Sequence, residues 1–566
     1  MVEATRSRLA RPPAPTFRMT IARIPLAGDL TLIVAWPLLL LLIDADWAFT
    51  PLNEIDSWVY FGTFVNLPYN LTNFSQTYYV GRLSWILPGY LAHALLPPVA
   101  AAVCLHLAVF YAATLGCYFC LRTTVGRRPA LAVSLMLGAY QPFLDAVGWD
   151  YVDGAGIAYF LLACACGTAA IQRKRPLLWG AWAGAFAGAC VITNLAWLML
   201  MPGLVIYLAW PSSDRPFVQR ARLALAIGVG IAAVTITCAL VYASITGNYW
   251  FFLPSITVSR VLVSQPNPWQ SATYDWVWNS ALLGTVCAVY VLSLTVVVKQ
   301  FVRGGAALSM VPHAVLLWTL PAMLVVQLSG TPVLQLSYYL SYLIPGLALS
   351  TGALLADPLH RVWPRGLALA LAIAAAVWLL VFASPTGVQL FGEIARSVVA
   401  VAIVVLAAIA LRVSSRRSWL FMVGFACILV LLVVHRAPRM GEPGERELNY
   451  RVTLDALEQL MPIQLEKPFY FWYSDKAPRA YWSAYQSVAS CYLWGYRLFS
   501  ASFPARTMPN GAVNQPQSGQ RIVLITEKPQ RSADIEETLG AEIRVVREGQ
   551  VARDGLSFNL LVFDVR

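Results

Sequence analysis

Asp29-Leu30-Thr31-Leu32-Ile33-Val34-Ala35-Trp36-Pro37-Leu38-Leu39-Leu40-Leu41-Leu42-Ile43, followed by Asn53-Glu54-Ile55-Asp56-Ser57-Trp58-Val59-Tyr60, decides how this chain is read. The first stretch, continued to residue 48, is long enough to cross the roughly 30 Å apolar core of a bilayer. The second places two carboxylates just beyond it. Further along the same loop, residues 49–97, Tyr78-Tyr79-Val80-Gly81-Arg82-Leu83-Ser84-Trp85 adds a guanidinium and two phenols. Acids just past a transmembrane helix can bind a metal, accept a proton or cap a helix, and Arg82 can hold a phosphate. This combination points to chemistry on a lipid-linked substrate.

Composition agrees with the membrane reading. Hydrophobic residues make up 58% of the chain and charged residues 12%, far from the balance of a soluble globular protein. The formal net charge is +12, but the basic residues fall in an N-terminal tail and in short loops between apolar runs. That distribution reports membrane orientation rather than nucleic-acid binding, so no nucleic-acid partner is expected.

Apolar runs of membrane-crossing length number about thirteen. They cover residues 29–48, 98–121, 129–147, 154–171, 178–194, 196–210, 223–246, 278–297, 307–328, 334–354, 366–383, 396–412 and 418–435. With the basic tail 1–28 in the cytoplasm, alternate loops carry the remaining Arg and Lys, among them Arg122, Arg127, Arg173, Arg215, Lys299, Arg361 and Arg416. This is the positive-inside pattern. It puts loops 49–97, 148–153, 247–277 and 384–395, and everything after about residue 436, on the outer side. The first apolar run has no small-residue cleavage site after it and is expected to remain as a helix.

Near Arg436 the apolar runs stop, and Arg439-Met440-Gly441-Glu442-Pro443-Gly444 leads into ordinary soluble sequence. Residues 452–461, 480–496 and 533–539 read as helices; 469–473, 521–526, 541–547 and 556–565 read as strands. The expectation is an α-helical polytopic membrane domain (29–435) followed by a small soluble α/β domain (436–566) on the outer face. Only Cys491 of ten cysteines falls in that soluble domain, so no disulfide framework forms there. There is no Walker loop, no dinucleotide glycine fingerprint and no cluster of metal-type His. An enzyme acting outside lacks cytoplasmic nucleotide donors, and an activated group reaches it most simply on a lipid carrier such as a polyprenyl phosphate sugar.

At this point the chain resembles the GT-C membrane glycosyltransferases, especially the bacterial branch that holds the lipid A aminoarabinose transferase and the protein mannosyltransferase-like enzymes. The resemblance rests on the acidic first outer loop, the Tyr78-to-Arg82 segment, the acidic second loop Gly148-Trp149-Asp150-Tyr151-Val152-Asp153-Gly154, and Tyr338-Tyr339-Leu340-Ser341-Tyr342-Leu343-Ile344-Pro345-Gly346-Leu347-Ala348-Leu349. Many relatives have Asp followed directly by Glu, where this chain has Asp56-Ser57.

The resemblance implies a transferase that moves a sugar from a polyprenyl phosphate donor to a lipid, glycan or protein acceptor, with inversion. Asp56 is then the base, since an acceptor hydroxyl is a poor nucleophile near neutral pH; the structural alternative is a helix cap. Glu54, Asp150 and Asp153 orient acceptor, sugar or metal, and a divalent cation (Mg or Mn) is a candidate cofactor; a simple turn is the alternative for the second loop. Arg82, helped by Tyr338 and Tyr339, holds the donor phosphate, with Arg260 as another candidate cation; an interfacial snorkelling role is the alternative. The expected location is the inner (plasma) membrane, multi-pass, among membrane lipids, with the C-terminal domain periplasmic or extracytoplasmic. A transporter or flippase of lipid-linked sugars is the competing reading, although transporters place polar or broken helices near the midplane.

Overall fold

The computed structural model describes residues 26–43, 45–48, 55–148, 152–172, 175–209, 216–264, 281–302, 310–331, 333–334, 337–356, 445–460, 469–473, 487–492, 498–499, 518–553 and 555–566. The expected spans 366–383, 396–412 and 418–435 lie outside the described residues, as do Glu54 and Asp150.

The first part is helical. It comprises α1 (Leu26–Ile43), α2 (Ile55–Val65), α3 (Leu67–Phe74), α4 (Leu83–Leu95), α5 (Pro98–Thr124), α6 (Arg127–Ala139), α7 (Gln141–Gly148) and α8 (Val152–Gln172). It continues with α9 (Pro176–Thr193), α10 (Met201–Ala209), α11 (Phe217–Thr246), α12 (Leu253–Ser264), α13 (Ala281–Val302), α14 (His313–Leu328), α15 (Ser337–Leu340) and α16 (Ile344–Ala356). Among the described residues, α5, α8, α9 and α11 are each long and apolar enough to cross a membrane, and the pair α6–α7, bent by 62°, meets the same test when its two helices are taken together. Helices α1, α13, α14 and α16 contribute shorter apolar stretches.

Among the described residues, several runs expected to be continuous are broken, 334–354 among them, which has a 3₁₀ turn at Ser341–Leu343. The run 29–48 ends as a helix at Ile43 and continues as a 3₁₀ turn over Ala45–Ala48, where Asp44 and Asp46 interrupt the apolar sequence. The run 129–147 divides at Tyr140, next to Pro142, which has no N–H to continue the ladder. The run 196–210 opens as a 3₁₀ helix over Leu195–Leu200, whose first turn is capped by the Asn194 side chain accepting from Ala196 N at 3.1 Å.

Packing in the helical domain follows side-chain size. Gly180, Gly184 and Gly188 recur every fourth residue on α9 and make a groove for Leu223, Ile227 and Ile231 of α11. At Gly184 the Ile227 carbonyl occupies the space that a Cβ would need. Such small-residue stripes are how helices approach closely where burying apolar surface gives no advantage over lipid. The opposite face of α11 exposes Leu225, Val229, Ile236 and Leu240, as a lipid-facing surface requires. At one end of the domain, α1 is tied down by a buried polar clasp. Arg127 Nε and Nη2 donate to the two Asp29 oxygens at 2.7 and 2.8 Å, and Tyr118 Oη donates to Asp29 at 2.6 Å.

The C-terminal part is α/β: α17 (Glu445–Leu460), β1 (Phe469–Tyr473), β2 (Leu498–Phe499), β3 (Arg521–Thr526), α18 (Ser532–Leu539), β4 (Ile543–Arg553) and β5 (Leu556–Val565). The sheet order is β2-β1-β3-β5-β4. Strand β1 runs parallel to β2 and β3, while β5 is antiparallel to β3 and β4. The strand expected over 541–547 continues to Arg553, because β4 and β5 form a hairpin closed by Gly555 at φ +87°. Of the helix expected over 480–496, residues 487–491 are described and helical. Trp472, Ile522, Leu524, Ile535 and Phe563 pack as a small core on one side of the sheet.

Candidate active site

Helix α2 carries Asp56 as its second residue, at the positive end of the helix dipole, which favours a carboxylate. Tyr60 lies one turn on, at the i+4 spacing that puts both side chains on one face. The segment Thr77–Arg82 turns back toward this face, with Arg82 N donating to Tyr79 O at 3.2 Å before α4 begins. Two side-chain hydrogen bonds then join the segments. Tyr79 Oη donates to Asp56 Oδ1 at 2.6 Å, and Arg82 Nη1 donates to Tyr60 Oη at 2.5 Å. The Arg82 guanidinium lies 4.8 Å from the Tyr78 ring centroid and 5.8 Å from that of Tyr60, and Tyr78 stacks on Tyr79 at 4.1 Å. The acid, the cation and the two phenols expected from the first loop therefore form one unit, together with Tyr60.

Asp56 is bonded by a phenol 23 residues away in the sequence. Arg82 is 7% exposed and lies against the rings of Tyr60 and Tyr78.

Asp153 enters the same cluster from the first turn of α8 and is 1% exposed. The charges of Arg82 and Asp56 both act on it, and the hydroxyls of Ser341 and Tyr342 lie beside it. Among the described residues, neither of its oxygens makes a hydrogen bond of good geometry. A buried carboxylate costs several kcal/mol unless it is paired, so this group is set up to meet a polar ligand. Tyr342 is fully buried and accepts from Asn194 Nδ2 at 2.7 Å; Trp197 packs against its ring at 4.4 Å. Tyr339 packs 5.6 Å from Tyr342 and also acts on Tyr78. Tyr338 belongs to α15 beside it.

Arg260 stands exposed on α12, outside the Asp56–Arg82 cluster. The loop after α11 does reach the site region: the Phe251 carbonyl occupies the space that a Cβ on Gly81 would need, and the buried Phe251 ring packs on Tyr242 of α11. Its aromatic stretch 265–280 lies outside the described residues.

Burial lifts the Asp56 carboxyl above its ordinary range, against the Tyr79 hydrogen bond and the Arg82 charge, which both pull it down. The same burial raises the phenols of Tyr60, Tyr78 and Tyr79. The tyrosines therefore stay protonated and act as donors, while Asp56 is a carboxyl of raised proton affinity beside them. Among the described residues, no three His, Cys, Asp or Glu side chains converge as a metal site.

Sequence reasoning passed over Tyr60, Ser341, Tyr342 and Asn194. The Asp56-x-x-x-Tyr60 spacing was the available signal for the first. Asn194 and Tyr342 are 148 residues apart, and nothing local pairs them.

No family model and no curated protein sequence matches the chain. Solved structures do. The crystal structure of ArnT from Cupriavidus metallidurans bound to undecaprenyl phosphate is similar with a TM-score of 0.53 at 15% identity, covering 94% of this chain and 98% of that one. ArnT in its apo state gives 0.43 at 16% identity over 94% and 98%. The oligosaccharyltransferase AglB from Archaeoglobus fulgidus, in complex with an inhibitory peptide and a dolichol-phosphate, gives 0.43 at 13% identity over 82% and 64%. The match to lipid-bound ArnT spans both the helical and the α/β parts. The chain has the fold of ArnT.

Proposed function

We propose that this protein is a multi-pass membrane glycosyltransferase that moves a sugar from a polyprenyl phosphate donor to an acceptor hydroxyl outside the cytoplasm. The observation that carries the reading is the joining of Asp56 and Arg82 through Tyr79, Tyr78 and Tyr60. It puts a carboxylate of raised proton affinity beside a buried guanidinium, within a fold whose solved neighbour was crystallised with undecaprenyl phosphate.

In the reaction, Asp56 takes the proton of the acceptor hydroxyl as its oxygen attacks the sugar C1. The bond from C1 to the phosphate oxygen breaks on the opposite face, which inverts the anomeric centre. The polyprenyl phosphate departs with its new negative charge facing Arg82, and a guanidinium offers parallel donors to such oxygens. Asp153 accepts from a sugar hydroxyl or amine. Glu54, Asp150, Tyr338, Tyr339 and Arg260 are further proposed contributors to acceptor, sugar or phosphate binding. Where a divalent cation (Mg or Mn) is taken, Asp56 and Asp153 would help hold it, and it would supply additional positive charge for the phosphate.

The remaining parts of the reading concern placement. They are about thirteen helices, a location in the inner (plasma) membrane, and a periplasmic or extracytoplasmic C-terminal domain beside the acceptor entrance. The test is sugar transfer by purified protein in lipid, from a panel of radiolabelled polyprenyl phosphate sugars to membrane extract. Transfer supports the enzyme. Movement of labelled lipid between leaflets without transfer supports a flippase.

A further inference from the structure

An isolated helix of eleven residues is marginal in water and takes its position from what packs on it. Helix α2 is held on two sides. One face presents Asp56 and Tyr60 to the site. The opposite face, formed by Trp58, Phe61 and Gly62 at i, i+3 and i+4 spacing, meets the C-terminal domain.

Four contacts make that joint. Tyr450 of α17, 1% exposed, places its ring 4.7 Å from Phe61 and 6.0 Å from Trp58. Its hydroxyl pairs with His93 Nε2 of α4 at 3.2 Å. His93 Nδ1 faces Gly89 O at 2.9 Å and so carries the proton, which leaves Nε2 to accept from Tyr450. At Gly62, the backbone of Cys491 occupies the space that a Cβ would take. A separate ring contact, Tyr69 with Tyr492 at 6.1 Å, extends the joint to α3.

From this geometry we infer that Tyr450 and Gly62 are positioning residues for Asp56: the soluble domain fixes α2 from behind, and so sets where the base meets Tyr79 and the acceptor. The inference rests on the transferase reading. It gives the C-terminal domain a part in the chemical step that is separate from acceptor binding. Displacing a catalytic group by about 1 Å costs on the order of 10²-fold in rate, so loosening this joint slows turnover without touching the donor pocket.

The experiment compares wild type with Tyr450→Ala, Gly62→Ala and Tyr450→Phe in lipid, measuring kcat, donor KM and the number of undecaprenyl phosphate molecules bound per chain. The expected result is a kcat lowered about 10- to 100-fold in Tyr450→Ala and Gly62→Ala. Donor KM and bound lipid per chain stay near wild type in both, and Tyr450→Phe, which keeps the ring, stays close to wild-type kcat. Unchanged kcat in both alanine variants would overturn the inference. So would a kcat that falls in proportion to bound lipid, since that reports lost folded protein rather than a misplaced base. A wild-type chain that binds the lipid but transfers no sugar to any acceptor would instead sink the transferase reading.

Discussion

Tyr79 Oη donates to Asp56 Oδ1 at 2.6 Å, across a turn that also delivers Arg82 to Tyr60. The phenol stabilises the carboxylate form, whereas burial opposes it more strongly and leaves Asp56 with a raised proton affinity. Asp56 must be ionised to act as a base, so activity falls as pH drops through its folded value. Asp56→Asn should reduce kcat about 10²- to 10⁴-fold. Removing the hydroxyl in Tyr79→Phe removes an interaction that lowers the Asp56 pKa, and the acid limb of kcat/KM should move to higher pH. A limb that stays in place or moves down contradicts this role.

Arg82 is buried against two aromatic rings and bonded to Tyr60, so its fork is fixed before any phosphate arrives. Lysine supplies charge without that planar geometry. Arg82→Lys should weaken donor binding and retain partial activity, while Arg82→Gln should lose about tenfold or more, corresponding to roughly 1.4 kcal/mol or above. Arg82→Gln should also raise the acid limb, because a positive charge beside Asp56 is lost. Titration with undecaprenyl phosphate checks the binding, and a pH profile checks the limb.

Asn194 Nδ2 donates to Tyr342 Oη, which leaves the phenol proton free to point elsewhere, and Asp153 lies beside it. Asp153→Asn keeps the shape and replaces one carboxyl oxygen with a nitrogen that can only donate. Donor analogues that differ only at a sugar hydroxyl or amine should be discriminated less well by this variant. Equal discrimination by wild type and Asp153→Asn would remove Asp153 from sugar recognition.

With the departing phosphate charge assigned to Arg82, transfer should persist after EDTA treatment. Loss of transfer in EDTA, with recovery on adding Mg or Mn, would show that a divalent cation shares this work.

In the soluble domain, Arg521 donates to both oxygens of Asp564 at 2.8 and 3.1 Å, and Arg544 adds a third bond at 2.8 Å. Arg521 chiefly, helped by Arg544, holds the Asp564 carboxyl below its ordinary range. That stabilisation is present above the unfolded pKa and is lost as pH falls through the folded value. Asp564→Asn should destabilise the domain by about 1–2 kcal/mol at pH 7, with the difference from wild type shrinking in acid. Thermal melts at pH 7 and pH 3 check both parts.

Helix type and the position of the first-loop site were legible in the sequence because they depend on local signals. Apolar length located α5, α8, α9 and α11 within a few residues, and the order of Asp56, Tyr79 and Arg82 placed acid and cation in one loop. What stayed hidden depends on breaks and on distance. Pro142 sits inside a run whose hydropathy hardly changes, and the 3₁₀ turn before α10 is as apolar as a helix, so average apolarity concealed both the bend after α6 and that turn. Tyr342 looked like any interfacial tyrosine until the fold brought Asn194, Trp197 and Asp153 around it. The joint between Gly62 and Cys491 joins segments more than four hundred residues apart in the sequence, and no periodicity in either segment reports it.

The most direct measurement is single-turnover transfer from a radiolabelled polyprenyl phosphate sugar by purified wild type and Asp56→Asn in lipid, with donor binding measured on the same samples. The account requires equal donor binding by the two proteins, transfer with inverted anomeric configuration by wild type, and loss of transfer in the variant. Full transfer by Asp56→Asn, or a product that retains the donor's configuration, would contradict it.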